Sequence, residues 1–374
     1  MRLRHVALGR SKSPAGCTPG RTYTLAGLRQ VVIARHGAPD VLEVREGPDP
    51  TPREGEVRIA VRAAGVNFAD ILARLGLYPD APPPPVVVGY EVSGYVDAVG
   101  PGTVARHVGD HVVALTPFGG YSTAVVVPAA LTVPVPAGVS DAEAAAVPVN
   151  YLTALLALYR MANVAAHETV LIHGVGGGVG IAAAQLARLR RARIIGTASA
   201  AKHETVRSLG VDHVVDYRRP DFADEIRRLT GGRGADVILD PIGGRSFRTS
   251  YSLLAPLGRL IVFGVSSIAT GERRRWWHAA ATMMRMPVFR PLSLMNNNRA
   301  VIGLNLGHLW GERQQLGAGM ELLVGELAAG RIKPVVAKTF PLDQAADAHR
   351  FIQSRSNIGK VVLMAGATAG TSPN

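Results

Sequence analysis

The feature of this sequence that most constrains its fold is a cluster of five glycines within seven residues, from Gly174 to Gly180. The apolar run TVLIH precedes the cluster, and the run IAAAQLARLR, rich in alanine and leucine, follows it. Glycines between a strand and a helix allow a sharp turn, close helix–strand packing and close approach of a pyrophosphate to the backbone. The helix that follows directs free N–H groups and the positive end of its dipole at the same point. The pattern therefore favours a dinucleotide-binding turn over a plain turn or a flexible linker.

Strand-like and helix-like runs alternate around this cluster. Strand-like runs cover residues 170–173, 193–197, 213–216, 236–240 and 259–264, and helix-like runs cover residues 181–190, 202–209, 221–230 and 244–255. Such alternation is typical of βαβ units in a parallel sheet with helices on both faces. We therefore predict an α/β fold with a doubly wound parallel sheet over residues 151–304.

The part of the chain before this sheet has a different pattern. Residues 29–150 contain short alternating runs, such as EVRIAVRAAGV and YEVSGYVDAVG, between Gly and Pro turns. This pattern predicts a barrel-like β domain. After residue 305 the chain supplies helices and then two strand-like runs, VVAKTFPL and GKVVLMA. We predict that residues 305–365 return to complete the first domain, and that residues 1–28 and 366–374 are disordered tails.

The formal charge of +13 is concentrated near the N-terminus, where seven Lys and Arg residues precede the first acidic residue, Asp40. The remaining excess is modest and suits an anionic ligand without requiring nucleic acid. Residues 1–28 lack the apolar core of a signal peptide, which leaves a disordered extension, a start codon placed too early or a transit peptide as alternatives. No apolar run reaches the roughly 18 residues of a membrane span, so none is expected.

The cysteine content restricts the chemistry further. Cys17 is the only cysteine and lies in the basic tail. The folded part is thus expected to contain no disulfide, no Cys-based zinc or iron–sulfur site and no thiol nucleophile, which agrees with a cytoplasmic location. Only five of the 41 basic residues are lysine, a bias typical of a GC-rich genome and therefore of a bacterial source.

The end of the second predicted strand indicates which dinucleotide binds. NAD sites place an Asp or Glu there to bind the ribose 2′-hydroxyl. Here the tip reads Gly196-Thr197-Ala198-Ser199 without a carboxylate, while Lys202 follows and Tyr217 comes after the third strand. A hydroxyl, an ammonium and a phenol suit a 2′-phosphate, so NADP is favoured over NAD. The alternatives are a solvated helix residue for Lys202 and a strand-end aromatic for Tyr217.

Five motifs together resemble a known family: AGVNFADILARLGLYP, GYEVSGYVDAVG, NYLTALLAL, GVGGGVGIAAAQLA and GTASAAKHETVRSLGVDHVVDYR. In this order they resemble the medium-chain dehydrogenase/reductase superfamily, and most of all its zinc-independent quinone oxidoreductase branch. The resemblance covers about residues 29–365. Within the branch, NRAVIGLNLGHLW is similar to the vesicle amine transport protein 1 group. The resemblance implies a GroES-like β-barrel catalytic domain at residues 29–150 and a Rossmann domain at residues 151–304.

The same resemblance implies that the site contains no metal. Zinc-dependent members carry a cysteine in the segment that here reads Ala64-Gly65-Val66-Asn67, and a His-Glu pair where this chain has Tyr90-Glu91. The four-cysteine structural zinc lobe is also missing from the sequence. A catalytic zinc needs about three protein ligands and an open position. We therefore predict no metal.

The resemblance also assigns roles to individual residues. Asn67 and Tyr78 match positions beside the nicotinamide, where they are candidate catalytic residues. Candidate contacts to NADP are Thr153, Gly174, Gly177, Gly178, Val179, Gly180, Ser199, Lys202, Tyr217, Phe263, Gly264, Val265, Gly303, Asn305, Asn357 and Lys360.

Structural roles stand beside these functional ones. Asn67 with Asp70 three residues later has the spacing of an N-cap and its capping-box partner, a role that can coexist with catalysis. Tyr78 before a proline is alternatively a packed loop aromatic. We expect Tyr121 to be structural, and Glu91 to be a buried structural acid.

Three functions are compatible with these observations. The first is an NADPH-dependent reductase of a quinone or an enone, with a small-molecule substrate and a homodimeric assembly as in the family. The second is a cofactor-binding but weakly catalytic protein that associates with a partner or a membrane. The stretch GERRRWWHAAATMMRMPVFRPLSLM motivates it, because a basic helix with tryptophans can bind an anionic membrane; alternatively this helix lines the substrate cleft or a subunit interface. The third is an enoyl-thioester reductase.

Overall fold

A computed structural model describes residues 27–365 of the chain. Its strands are β1 (Leu28–Ile33), β2 (Leu42–Gly47), β3 (Glu56–Val66), β4 (Val86–Val87), β5 (Glu91–Val99), β6 (His111–Leu115), β7 (Ala124–Pro128), β8 (Thr132–Pro134), β9 (Thr169–His173), β10 (Arg193–Thr197), β11 (His213–Val215), β12 (Ala235–Asp240), β13 (Leu254–Val262), β14 (Ala300–Gly303), β15 (Val336–Pro341) and β16 (Lys360–Met364). Its helices are α1 (Phe68–Leu75), α2 (Asp141–Ala144), α3 (Pro148–Leu155), α4 (Gly178–Leu189), α5 (His203–Ser208), α6 (Phe222–Leu229), α7 (Arg245–Ser252), α8 (Trp276–Met284), α9 (Pro291–Asn297), α10 (Arg313–Ala328) and α11 (Ala345–Gln353).

Strands β9 to β14 form a six-stranded sheet in the order β11-β10-β9-β12-β13-β14, and all its pairs are parallel. β12 is buried along its whole length and β9 along most of it, as expected for central strands covered on both faces. Helices α4 to α7 alternate with the strands. The predicted α/β fold with a doubly wound parallel sheet is confirmed.

A second sheet is built mainly from the first part of the chain, in the order β15-β16-β3-β5-β6-β8, with β7 also pairing β3. Its two C-terminal strands come from the end of the chain, and β16 pairs antiparallel with residues 63–66 of β3. A small sheet, β2-β1-β4, completes this GroES-like part. The domain boundaries at residues 150 and 304 stay predictions.

Several predicted boundaries differ from the structure. The helix predicted over residues 244–255 ends at Ser252, and the strand predicted from residue 259 already begins at Leu254. The glycine-rich helix is predicted from residue 181, whereas α4 begins at Gly178 with Gly177 as its N-cap, so two of the glycines lie within the first helical turn. The N-terminal tail is predicted to include residue 28. However, Leu28 is buried, and it is the first residue of β1, where it pairs with β2. The rest of the predicted tails, residues 1–26 and 366–374, lie outside the described residues.

One stretch has the length and composition of a membrane-spanning helix, although none is expected from the sequence. It covers Asp141–Met161, which includes α2, α3 and the π-helical turn Leu156–Met161. However, 72% of its most apolar window is buried inside the protein, and α3 packs against α4 and α10. The stretch is therefore accounted for as a core element beside the dinucleotide-binding turn.

Candidate functional site

A large cleft with a volume of about 1600 Å³ lies along the carboxyl ends of the parallel strands and against α1 of the first part of the chain. Open α/β sheets bind ligands at this edge. The cleft is lined by every residue that the sequence assigns to substrate or cofactor, namely Asn67, Tyr78, Thr153, Gly174, Gly177, Gly178, Val179, Gly180, Ser199, Lys202, Tyr217, Phe263, Gly264, Val265, Gly303, Asn305, Asn357 and Lys360. The structure thus brings them together, while their individual roles stay predictions.

The glycine turn forms one wall of the cleft. Gly174 has a φ of +64°, in the left-handed region that favours glycine, and its carbonyl oxygen accepts a hydrogen bond of 2.9 Å from the Gly177 N–H. No side chain caps the start of α4, so its first N–H groups remain available to a ligand. The turn therefore has the shape and the polarity of a pyrophosphate site.

Gly180 allows close packing of α4 against this turn. A Cβ atom at Gly180 would lie 2.5 Å from the Gly174 carbonyl oxygen and 2.6 Å from the Val175 Cα. We expect Gly180→Ala to lower the free energy of unfolding by about 1–3 kcal/mol because backbone atoms must move. Chemical denaturation measures the change. Gly325→Ala is the matched control, since Gly325 is exposed in α10 with open space around it, and it is expected to stabilise the protein by about 0.5–1 kcal/mol. Equal effects at the two glycines would contradict this account.

Ser199, Lys202 and Tyr217 lie together at the far end of the cleft. The Lys202 ammonium donates a hydrogen bond of 2.6 Å to the Asn357 carbonyl oxygen, which joins this end to the loop before β16. Burial lowers the pKa of Lys202 from its usual value. A second link is the hydrogen bond of 2.9 Å from the Gly359 N–H to the Gly176 carbonyl oxygen.

A carboxylate that the tip of β10 does not indicate also lies near this end. Asp216 follows β11, and its Oδ2 accepts a hydrogen bond of 3.2 Å from the Ala200 N–H. Hydrogen bonds from Arg218 hold the pKa of Asp216 down to about 2, and the two side chains form an ion pair. The carboxylate is therefore charge-compensated, which leaves the positive charge of Lys202 to determine the local potential.

Asn67 belongs to a buried polar cluster at the other end of the cleft. Its amide Nδ2 donates to Glu91 Oε1 at 2.9 Å, and its Oδ1 accepts from the Lys360 Nζ at 2.6 Å. Lys360 and Glu91 form an ion pair in which their side chains are 3% and 0% exposed. Since Glu91 and Lys360 are separated by most of the chain, no local pattern indicated this pair. The expectation that Glu91 is a buried acid agrees with its position, and its second oxygen accepts from the Val149 N–H at 2.7 Å.

Asn67 also begins α1. Its backbone N–H donates to Asp70 Oδ2 at 2.7 Å, as the capping-box alternative expects. The same Asp70 oxygen accepts from the Tyr121 hydroxyl at 3.0 Å, and Tyr121 is fully buried outside the cleft lining, which agrees with a structural role. Both polar atoms of the Asn67 side chain are already hydrogen-bonded, which makes Asn67 a weaker candidate for a hydrogen-bond donor to substrate.

Tyr78 lies beside a group of polar residues at the mouth of the cleft. Asp80 accepts hydrogen bonds from His308 Nε2 at 2.8 Å and from Asn305 Nδ2 at 3.0 Å, so the loop after β14 is tied to the loop after α1. Burial, together with the nearby Asp80 carboxylate, raises the pKa of Tyr78 to about 12. Tyr78 is therefore a neutral phenol near pH 7. The Asp80–His308 contact links distant residues and was also missed from the sequence.

Among residues 27–365, no group of three or more His, Cys, Asp and Glu side chains is arranged to hold a metal ion. The absence of a metal from the working protein stays a prediction.

Comparisons with known proteins agree with this architecture. Residues 53–137 match the alcohol dehydrogenase GroES-like domain family, and residues 209–363 match a family described as zinc-binding dehydrogenase. The zebrafish synaptic vesicle membrane protein VAT-1 homolog is 39% identical over 338 residues, which cover 90% of this chain and 69% of the relative.

Three solved structures are similar over 90% of this chain. A mycobacterial protein complexed with NADPH has a TM-score of 0.80 at 32% identity, with all of its chain covered. A Pseudomonas syringae quinone oxidoreductase has a TM-score of 0.79 at 30% identity, also fully covered. The CurK enoyl reductase has a TM-score of 0.79 at 30% identity, with 99% covered. The chain therefore belongs to the medium-chain dehydrogenase/reductase superfamily of oxidoreductases and resembles its VAT-1 members.

Proposed function

We propose that this protein is a zinc-independent reductase that uses NADPH to transfer a hydride to a quinone or an α,β-unsaturated carbonyl compound. The observation that carries the proposal is that one continuous cleft joins the glycine turn and Lys202 at one end to Tyr78 at the other. When bound, the reduced nicotinamide supplies the hydride. The chain itself provides binding, orientation and a water-poor environment for the acceptor.

The residues that line the cleft have different binding roles along its length. The N–H groups at the start of α4 bind the pyrophosphate, and Ser199, Lys202 and Tyr217 bind the 2′-phosphate. Thr153 and residues 263–265 orient the nicotinamide end, with further contacts from the loops that carry Gly303, Asn305, Asn357 and Lys360. Tyr78 is a neutral hydrogen-bond donor near the acceptor. Apolar side chains exclude water there, among them Leu72, Leu77, Phe263, Leu306 and Trp310.

The decisive experiment follows the oxidation of NADPH and NADH by the purified protein with a quinone, an enone and an enoyl thioester. We expect NADPH to be consumed much faster than NADH, and the quinone or the enone to be reduced. Preference for the thioester would favour the enoyl-thioester reductase instead, a function that the resemblance to the CurK enoyl reductase supports. A protein that neither binds NADPH nor reduces any of the three acceptors would contradict the proposal.

A second candidate function is association with an anionic membrane. We call the exposed face of residues 273–295 the basic–apolar surface. Seven of the fourteen exposed large apolar side chains in residues 27–365 lie on it, and Trp277 is 90% exposed. Its exposed arginines are Arg273, Arg275, Arg285 and Arg290, and no acidic residue occurs between Glu272 and Glu312. Tryptophan and methionine suit the lipid interface, and arginine suits anionic head groups.

The alternative that α8 lines the cleft also finds support, because Met283 lines it while the neighbouring Met284 is 81% exposed.

Co-sedimentation with vesicles tests the membrane function. We expect binding to vesicles that contain phosphatidylserine and not to neutral ones. Arg273→Ser with Arg275→Ser should weaken binding about 30-fold, since each arginine contributes about 1 kcal/mol. Val108→Ser, at an exposed apolar residue elsewhere, is the control. Unchanged binding of the arginine variant would exclude this surface.

We also propose a cytoplasmic, bacterial homodimer. The dimer proposal rests on β14, which is one of the two edge strands of the parallel sheet in the described residues and is able to pair with a second copy. Light scattering of the full chain tests it, and a monomer would overturn it.

A further inference from the structure

A buried hydroxyl without a partner lies in the wall of the cleft. In residues 27–365, six buried polar side-chain atoms have no hydrogen-bond partner, and they belong to Arg74, Tyr90, Tyr251, Ser267, Arg299 and His349. Only one of these residues, Tyr90, lines the cleft. An unpaired buried donor is destabilising, so one that belongs to a side chain in the lining of a cleft calls for a ligand or a water as its partner.

The surroundings of Tyr90 hold its ring in place. It is 5% exposed and immediately precedes β5, and its carbonyl oxygen accepts a hydrogen bond of 3.0 Å from the Thr116 N–H. Its ring contacts Tyr78 edge-on, with centroids 6.3 Å apart and planes at 81°, and Phe118 at 5.3 Å. The two phenols Tyr78 and Tyr90 thus stand next to each other in the same wall.

The Asn67 side chain is not free to act as the donor to the acceptor. Its amide is bonded to Glu91 and Lys360, which also form a buried ion pair with each other. Tyr90 also occupies the sequence position at which zinc-dependent relatives carry a ligand histidine, according to the resemblance described above.

We propose that the Tyr90 hydroxyl donates a hydrogen bond to the carbonyl oxygen of the acceptor and thereby polarises it. This inference rests on the proposed function. For an enone, one hydride, which carries two electrons, would pass from the reduced nicotinamide to the β-carbon. The electrons of the carbon–carbon double bond would shift to form an enolate, whose oxygen would accept the Tyr90 hydrogen bond. A proton from solvent would then add to the α-carbon, and the products would be NADP⁺ and the saturated ketone.

The protonation state of Tyr90 agrees with this role. Burial, reinforced by the Asp70 carboxylate and by Tyr78, raises the pKa of Tyr90 far above its ordinary value. The phenol therefore keeps its proton over the whole working range of pH and donates to the oxygen without transferring the proton. A preorganised donor of this kind stabilises the charge that develops on the substrate oxygen.

Tyr90→Phe is the test, and Tyr159→Phe is its matched control, because the Tyr159 hydroxyl donates to the Leu186 carbonyl oxygen at 3.0 Å away from the cleft. Loss of one such donor lowers kcat about 100-fold, so we expect that loss in Tyr90→Phe with the enone, an unchanged Kd for NADPH and an unchanged or higher Tm. We expect Tyr159→Phe to keep its kcat and to lose Tm. Equal kcat values for wild type and Tyr90→Phe would overturn the proposal and would show that Tyr90 is structural or bonded to water only.

A second readout does not depend on turnover. In the complex with NADP⁺, which has no hydride to give, the carbonyl stretch of bound acetophenone reports polarisation directly. We expect this frequency to be lower in wild type than in Tyr90→Phe. If wild type reduces no acceptor, the proposed function fails, but a frequency difference still supports the hydrogen bond from Tyr90. An identical frequency in both proteins overturns the inference whatever the kinetics show.

Discussion

Replacing Lys360 with methionine is expected to lower the free energy of unfolding by about 3–5 kcal/mol, because removal of one partner leaves a buried charge uncompensated. Lys360 and Glu91 are 3% and 0% exposed, and Lys360 is bonded to both Glu91 and Asn67. Methionine has a similar length, so the loss is mainly electrostatic and leaves no large cavity. Urea denaturation at pH 7 measures the change.

Two further variants make this prediction specific. Lys338→Met is the matched control, since Lys338 is an exposed lysine in the adjacent strand β15 and its contact with the Phe340 ring, 4.7 Å from the centroid, is worth about 0.5–1 kcal/mol. The double variant Glu91→Gln with Lys360→Met removes both charges and keeps an acceptor for the Val149 N–H. It should recover most of the stability. A loss below about 1 kcal/mol in Lys360→Met would show that Glu91 is not charged in the folded protein.

Replacing Lys202 with alanine is expected to weaken NADPH binding about 10- to 100-fold, which corresponds to a charge-assisted hydrogen bond of about 1.5–3 kcal/mol. Affinity for NADH should change little, because NADH has no 2′-phosphate. The ammonium lies at the phosphate end of the cleft and already bonds the Asn357 carbonyl oxygen at 2.6 Å. Titration of protein fluorescence with each dinucleotide measures the two affinities.

The control for this prediction is Lys333→Ala, because Lys333 is an exposed lysine outside the cleft lining. Arg218→Ala tests the effect of the Asp216 charge, since this variant leaves the Asp216 carboxylate without its cation. That variant should also disfavour NADPH relative to NADH, as the negative potential near the phosphate rises. An equal loss for both dinucleotides in Lys202→Ala would show that Lys202 acts by holding the Asn357 loop, not by binding phosphate.

Local patterns predicted the parts of this molecule that depend on neighbours in sequence. The turn from Gly174 to Gly180 is recognisable because strand, glycines and helix follow one another, and the parallel sheet follows from the same alternation. The sequence pattern predicts the start of α4 three residues late, since glycine is a poor helix former and yet is tolerated in this first turn, which lines the cleft.

Contacts between distant residues were not predictable in this way. The pairs Glu91–Lys360 and Asp80–His308 join residues from opposite parts of the chain, and nothing in the sequence near either partner indicates the other. The Asn67 side chain illustrates the consequence. Its position in the cleft follows from the motif, but its hydrogen-bond partners depend on β16, so the sequence alone overestimates its availability to substrate.

Because β16 is the last strand to be synthesised and belongs to the first sheet, the cleft can be completed only at the end of synthesis. A ribosome that has translated as far as α11 has already made Asn67, Glu91 and the entire glycine turn, but not Lys360. Until β16 docks, residues 63–66 of β3 lack their antiparallel partner and Glu91 lacks its cation. An open strand edge beside a buried carboxylate invites mispairing with other chains. The nascent protein is therefore most exposed to mispairing at the stage when only its last strand is missing.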